Sequence, residues 1–255
     1  MKQAWTIFNR LAVCGLVLAT AAIAQAEQRT ADVVRIKGSA RYSTGGNMWQ
    51  PLKVGTQLSA GAIVQTAQDS MVDIVISGGS GAQLHRPTYG EYISYNPTVH
   101  RDVIRMTGDT VLAIDRLTST DTGTETITDT ELDLRSGAMF GSVRKISSAS
   151  VFEIKIPNGV AGIRGTWFWI SALRYIRVWD GTVDVSVMGS SGTAEVVKVP
   201  AGFQYDIINN RVEAIPPGVE RPTAMYYGAG EPTVVVQDRT LLVVTGAEPA
   251  NYPED

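Results

Sequence analysis

Beyond residue 26 the apolar side chains of this chain recur at every second position, and no segment sustains the 3.6-residue period of a helix. The runs 33–36, 72–76, 152–156, 176–178, 183–187 and 241–244 are short and rich in Val and Ile. Each is bounded by Gly, Asn, Asp or Pro. A period of two places one set of side chains in a core and the other toward solvent, which is the signature of half-buried strands. The class this dictates is all-β. A twisted antiparallel sandwich and a solenoid-like stack of short strands both satisfy it, with residues 233–236 and 241–245 forming a terminal β-hairpin. Asp180-Gly181 and Asn209-Asn210 lie between such runs and suit tight turns that need positive φ. From Thr118 to Thr130 every second residue is Thr. That spacing gives an extended segment with little to bury, expected as a solvated edge strand or a connector between two halves.

Residues 1–26 read as a cleavable export leader. Lys2 and Arg10 supply a basic start, residues 11–24 are apolar, and Ala24-Gln25-Ala26 offers small residues for cleavage. The apolar run falls short of the ~20 residues needed to span a bilayer, so no transmembrane helix is expected after processing. The only cysteine, Cys14, departs with the leader, and the remaining 229 of 255 residues must hold together without disulfides. The expected organisation is a leader over 1–26, a β domain over 27–215 with its Thr-rich connector at 118–130, and a Pro- and Gly-containing extension over 216–255. The implied location is the periplasm or the exterior.

The residues argue against catalysis. The net charge is −3, or −5 once the leader is removed, and there is no basic run, which excludes nucleic acid as a partner. His85 and His100 stand in polar, turn-rich sequence without ligand spacing, so no metal is expected. No phosphate loop, nucleophile elbow or paired zinc motif is present, and Gly78-Gly79-Ser80-Gly81 reads as a hairpin loop. Asp129, Glu131 and Asp133 alternate, which places their carboxylates on one outer face of a strand, opposite Leu132 and Leu134. Neither an enzyme activity nor a cofactor is expected.

The densest motif is Phe152 to Thr166, FEIKIPNGVAGIRGT. Here an alternating strand meets glycines at 159, 162 and 165 and ends in Arg164-Gly165-Thr166. A second block comprises Trp49-Gln50-Pro51-Leu52, then Gly55, Leu58, Gly61 and Val64-Gln65-Thr66, leading into Val72, Ile74 and Ile76. In this order the two blocks resemble the periplasmic FecR-like domain, over about residues 33 to 205. The resemblance implies a protein-interaction or signal-sensing module. Proteins of that full architecture place a cytoplasmic anti-sigma region and a membrane helix before the domain, whereas here only residues 1–10 precede the apolar segment. Direct control of a sigma factor is therefore not expected.

Within the motif, Gly159, Gly162 and Gly165 are expected where backbones approach closely or φ is positive. Arg164 is expected to lock the turn through carbonyl or carboxylate contacts, with facing a partner as the alternative. Trp49 and Thr166 complete the structural set. Immediately after it, a register that sets Phe168 across from Val178 would gather Trp167, Trp169, Tyr175, Arg177 and Trp179 on one face. These five are the candidate binding residues. Their face is either covered by another sheet or the terminal hairpin, or exposed as a platform. The partner expected is an envelope protein or a second copy of the chain. A structural envelope component and carbohydrate binding through Trp167 and Trp169 stand as alternatives.

Overall fold

The structure, a computed structural model, describes residues 26–46, 48–76, 102–144, 146–188 and 193–219, together with the short strands Ile93–Ser94, Thr233–Gln237 and Leu241–Thr245. Residues 1–25 of the leader, His85, His100 and the 78–81 segment lie outside the described residues, as does the 216–255 extension apart from 216–219 and its two strands. Every regular element among the described residues is a strand. The predicted runs all become strands, and the terminal hairpin forms by antiparallel pairing of Thr233–Gln237 with Leu241–Thr245.

The main sheet contains 17 strands and curls so that the inward residues of its two halves build one hydrophobic cluster. The first half runs through Ala31–Lys37, Met71–Ile76, Asp102–Met106 and Ala138–Val143. It then crosses the far end of Gly159–Ser171 and the near end of Tyr175–Met188 to Phe203–Asp206 and Arg211–Ala214. The second half runs through Ala40–Ser43, Ile63–Thr66, Val111–Asp121, Thr126–Ser136 and Val151–Ile156. It crosses the opposite ends of the same two long strands and finishes at Ala194–Pro200. This is neither two separate sheets nor a solenoid. The long hairpin 159–188 belongs to both halves and joins them at a bend. One pairing breaks the antiparallel rule: Thr126–Ser136 and Val151–Ile156 run parallel.

The bend explains the glycines. Between Arg164 and Phe168 the register slips twice against the partner strand. Gly165 takes φ +61° and Gly181 takes φ +78° there. A Cβ on Gly181 would sit 2.3 Å from the Gly165 carbonyl oxygen, so only glycine lets the strands cross. Thr166, buried, donates its hydroxyl to Thr182 O at 2.9 Å and ties the slip together. Asp180-Gly181 is therefore not a hairpin turn, because Tyr175–Met188 continues through it. The positive φ that suits a tight turn also suits a bulge. Asn209-Asn210 does close a hairpin, with Asn210 at φ +48°.

The Thr-rich segment is not a connector. It folds into a hairpin between Val111–Asp121 and Thr126–Ser136, capped by the Asp121 carboxylate accepting from Gly123 N at 2.7 Å. Ser119, Thr128 and Thr130 are buried, and Thr130 Oγ1 accepts from Arg29 Nη1 at 3.0 Å. Small hydroxyl side chains fill tight interior sites provided a donor or acceptor meets them.

Candidate functional site

Because the two long strands pair with Phe168 opposite Val178 and Trp169 opposite Arg177, the inward ladder Phe168, Ile170, Ile176 and Val178 is buried. The residues between these turn outward. Trp167, Trp169, Tyr175, Arg177 and Trp179 all point away from the core and are half-buried, neither covered over nor fully exposed. Three of the five are in direct contact. The Arg177 guanidinium lies over the Trp169 ring at 4.8 Å and over the Tyr175 ring at 5.1 Å. Trp167 faces Asp180 across the register slip, and this leaves Trp179 as the extra residue of the bulge.

Register carries this patch much further than the five residues. Successive cross-strand partners form a single outer row from Arg35 through Asp73, Arg105, Phe140, Trp169, Arg177 and Gln204 to Glu213. The row is bonded almost throughout. Arg105 clasps Asp73 with two hydrogen bonds of 2.6 and 2.7 Å, and both side chains are at most 5% exposed. Phe140 and Trp169 stack tilted at 6.2 Å. Arg177 Nε donates to Gln204 Oε1 at 2.8 Å, and Gln204 Nε2 donates to Glu213 Oε1 at 2.9 Å. Burial lowers the Arg177 pKa, and the neighbouring Tyr175 partly restores it. The aromatic patch is thus held by fixed polar partners on one side and by an aromatic ring on the other, so its shape is set before anything binds.

Beside the row, the interior near Arg29 also carries charge. Arg29 lies 3.8 Å from Asp102, and burial pushes its pKa down to about 10. Burial pushes Asp102 up, against the pull of Arg144. On the other half of the sheet, Asp129, Glu131 and Asp133 share a face as their spacing required. They are engaged by Arg116 at 2.6 and 2.8 Å, by Lys155 at 3.1 Å and by Arg135 at 2.8 Å. The bonds to Asp129 and to Asp115 respectively hold Arg116 and Lys155 above their ordinary ranges. Among the described residues no group of acidic, His or Cys side chains could hold a metal, and no helix is long and apolar enough to cross a membrane.

The remaining motif residues separate. A Cβ at Gly159 would meet Ser186 O at 2.3 Å, so glycine is required there. At Gly162 the same atom would meet only Asp184 O at 3.5 Å and φ is ordinary, so glycine is not required by the backbone. Arg164 does not lock the turn. It is exposed, reaches only Ser148 O at 3.5 Å, and borders a 610 Å³ trough with Glu153, Asp184 and Lys198. Trp49 is 39% exposed, with Arg41 stacked on its ring. Phe140, Gln204 and Asp73 were missed by the sequence reading. They come from strands far apart in the chain, and only register brings them into one row.

Residues 97–191 match the model of a family described as FecR protein. The matched stretch contains the glycine corner and the aromatic strands, and stops short of the Trp49 block. No curated protein matches the chain. Two crystal structures from Parabacteroides distasonis ATCC 8503, each described as a candidate anti-sigma factor, overlap it loosely. One has 14% identity and a TM-score of 0.38, covering 65% of this chain and 65% of its own. The other has 16% identity and a TM-score of 0.33, covering 55% and 62%. The chain thus spans just under two thirds of either, and at these scores the overlap falls short of a shared global fold.

Proposed function

We propose that the chain is an exported, non-catalytic FecR-type module of the bacterial envelope, which recognises a protein partner through the outer row around Trp169, Tyr175 and Arg177. In this reading residues 1–26 are removed as a leader, 27–215 form the recognising domain and 216–255 an appendage. The domain acts in the periplasm or at the cell surface. The observation that carries the proposal is the half-buried aromatic patch around Trp169, Tyr175 and Arg177, three residues inside the FecR match, which Gln204 outside it helps to fix. Partially desolvated Trp, Tyr and Arg on a rigid strand surface are the residue types that dominate protein recognition. The titratable groups described above are spent on ion pairs and strand contacts, which favours binding over chemistry.

The alternative of a self-assembling surface component has less support. The open edge strand Ala194–Pro200 exposes Val196, but it also carries Lys198 and Pro200, which blunt edge-to-edge pairing. Crosslinked pull-down from the native envelope separates the two readings. Recovery of a distinct protein, lost on Arg177→Glu, is the expected result. Recovery of the chain itself as the only abundant species rejects recognition.

A further inference from the structure

Of the four described tryptophans, only Trp49 is exposed rather than half-buried. Neither the hydrophobic cluster nor the FecR match accounts for it. Tryptophan normally finds cover for its ring, so an exposed one beside a cavity calls for a reason. Arg41 lies with its guanidinium 4.6 Å above the Trp49 ring, and its Nε donates to Gln65 Oε1 at 2.9 Å. Register aligns Pro51, Arg41 and Gln65 as direct cross-strand neighbours. The guanidinium plane is therefore fixed from below by the ring and from one edge by the amide. Among the described residues Arg41 makes no ion pair, so its two Nη groups remain as a planar fork. Because its oxygen is used by Arg41, Gln65 turns its amide NH₂ away as a further donor.

These groups border a hollow of 560 Å³, with Ser39, Pro51 and Asp109 completing the wall. Such a volume lies in the range of small-ligand sites, roughly 300–1,000 Å³. The fork matches a carboxylate, which a guanidinium takes in two parallel hydrogen bonds. Arg41 covers one face of the Trp49 ring, and the uncovered face suits the apolar face of a pyranose. Ser39 and the Gln65 amide suit hydroxyls, and Asp109 accepts from hydroxyls as well. One fork next to one carboxylate, on a chain of net charge −3 that becomes −5 without the leader, fits a ligand with a single negative charge and many hydroxyls and disfavours a run of acidic residues.

We infer that the hollow between Trp49, Arg41 and Gln65 binds a carboxylated polysaccharide, with Arg41 holding the carboxylate of one sugar and the uncovered face of Trp49 packing on the neighbouring sugar. The site lies on different strands from the Trp169 row and does not rest on the function proposed for it.

The probe is the galacturonate dimer, titrated into the full chain in the form its own host produces. The controls are the neutral galactose dimer and a blocked triglutamyl peptide. The readout is the Trp49 indole N–H resonance, assigned by its disappearance in Trp49→Phe, together with Arg41 Nε–H. A saturable shift with the galacturonate dimer is expected, with affinity at least about tenfold weaker in Arg41→Lys, which keeps the charge and loses the fork. Thermal unfolding of Arg41→Lys is expected to match the parent, since the side chain is exposed. Equal response to the neutral dimer, response to the peptide alone, unchanged affinity in Arg41→Lys, or no saturable shift each overturns the assignment.

Discussion

Gly141 and Phe168 face one another across the sheet, and the ring of Phe168 fills the space where a side chain at 141 would stand. A Cβ built on Gly141 lies 2.0 Å from Phe168 Cζ and 2.5 and 2.6 Å from the flanking ring carbons. Carbon atoms rest at about 3.5–4.0 Å, so Gly141→Ala forces the ring to move by about 1.5 Å or more. Phe168 is 1% exposed, so any movement of its ring must be taken up by the packed residues around it. Overpacking of this kind costs about 1–3 kcal/mol, from which the better strand propensity and lower unfolded-state entropy of Ala recover ~0.5–1. The net expectation for Gly141→Ala is a loss of about 1–2 kcal/mol. Phe168→Leu alone leaves a cavity and is also destabilising, in the lower part of the range for large-to-small core changes. In the double variant the new methyl occupies space the shorter side chain vacates, so the losses should fall short of additive by about 1 kcal/mol, within the 0.5–3 kcal/mol seen for contacting pairs. Urea unfolding followed by far-ultraviolet circular dichroism measures all four corners of the cycle. Additivity within ~0.3 kcal/mol would refute the claim that the ring and the missing side chain share one space.

Three further outcomes follow from the same geometry. Gly181→Ala, which meets the Gly165 carbonyl and needs positive φ, should lower the midpoint of thermal unfolding markedly, whereas Gly162→Ala should leave it nearly unchanged; equal effects would remove the bulge account. Asp73→Ala should cost about 3–5 kcal/mol in urea unfolding because it removes the carboxylate that a buried Arg105 clasps with two hydrogen bonds, and replacing both with apolar residues should cost less than Asp73→Ala alone. Burial raises the Asp206 pKa, but hydrogen bonds from the Asn209 backbone and side chain and from Ile208 N outweigh it and hold the carboxyl below its ordinary 3.8. Its contribution is therefore present above pH 3.8 and lost as pH falls through the depressed folded value, so Asp206→Asn should flatten the acid limb of a stability-against-pH curve.

The strands were legible in the sequence because alternation survives wherever one face is buried. The pairing of Phe168 with Val178 was legible as a condition, since only that register collects the aromatic side chains on one face. What pattern could not show was where outward positions become buried. Asp73 and Arg105 sit on the face opposite the apolar alternation, yet they are almost wholly buried and serve as each other's partner. Their pairing depends on two strands 32 residues apart in sequence. Asp180-Gly181 looked like a turn because a turn and a bulge make the same demand on φ, and the difference lies in the opposing strand. The threonine run looked unable to bury anything because hydroxyls read as polar. Arg29 donates to the Thr130 hydroxyl, and Ser150 Oγ accepts from the Thr128 backbone N–H, so the polar groups of the run are met inside the fold. Trp49 was read as structural from its neighbours in sequence, while Arg41, which defines its surroundings, carried no local signal.

The central claim is that the outer row presents a recognition face at Trp169. Photo-crosslinking in the native envelope tests it directly, with a photoreactive residue placed at Trp169 and, as a control on the other half of the sheet, at Val196. The account predicts one discrete adduct with a different protein from position 169, abolished by Arg177→Glu, and no such adduct from position 196. The same adducts from both positions, or only the chain joined to itself, would contradict it.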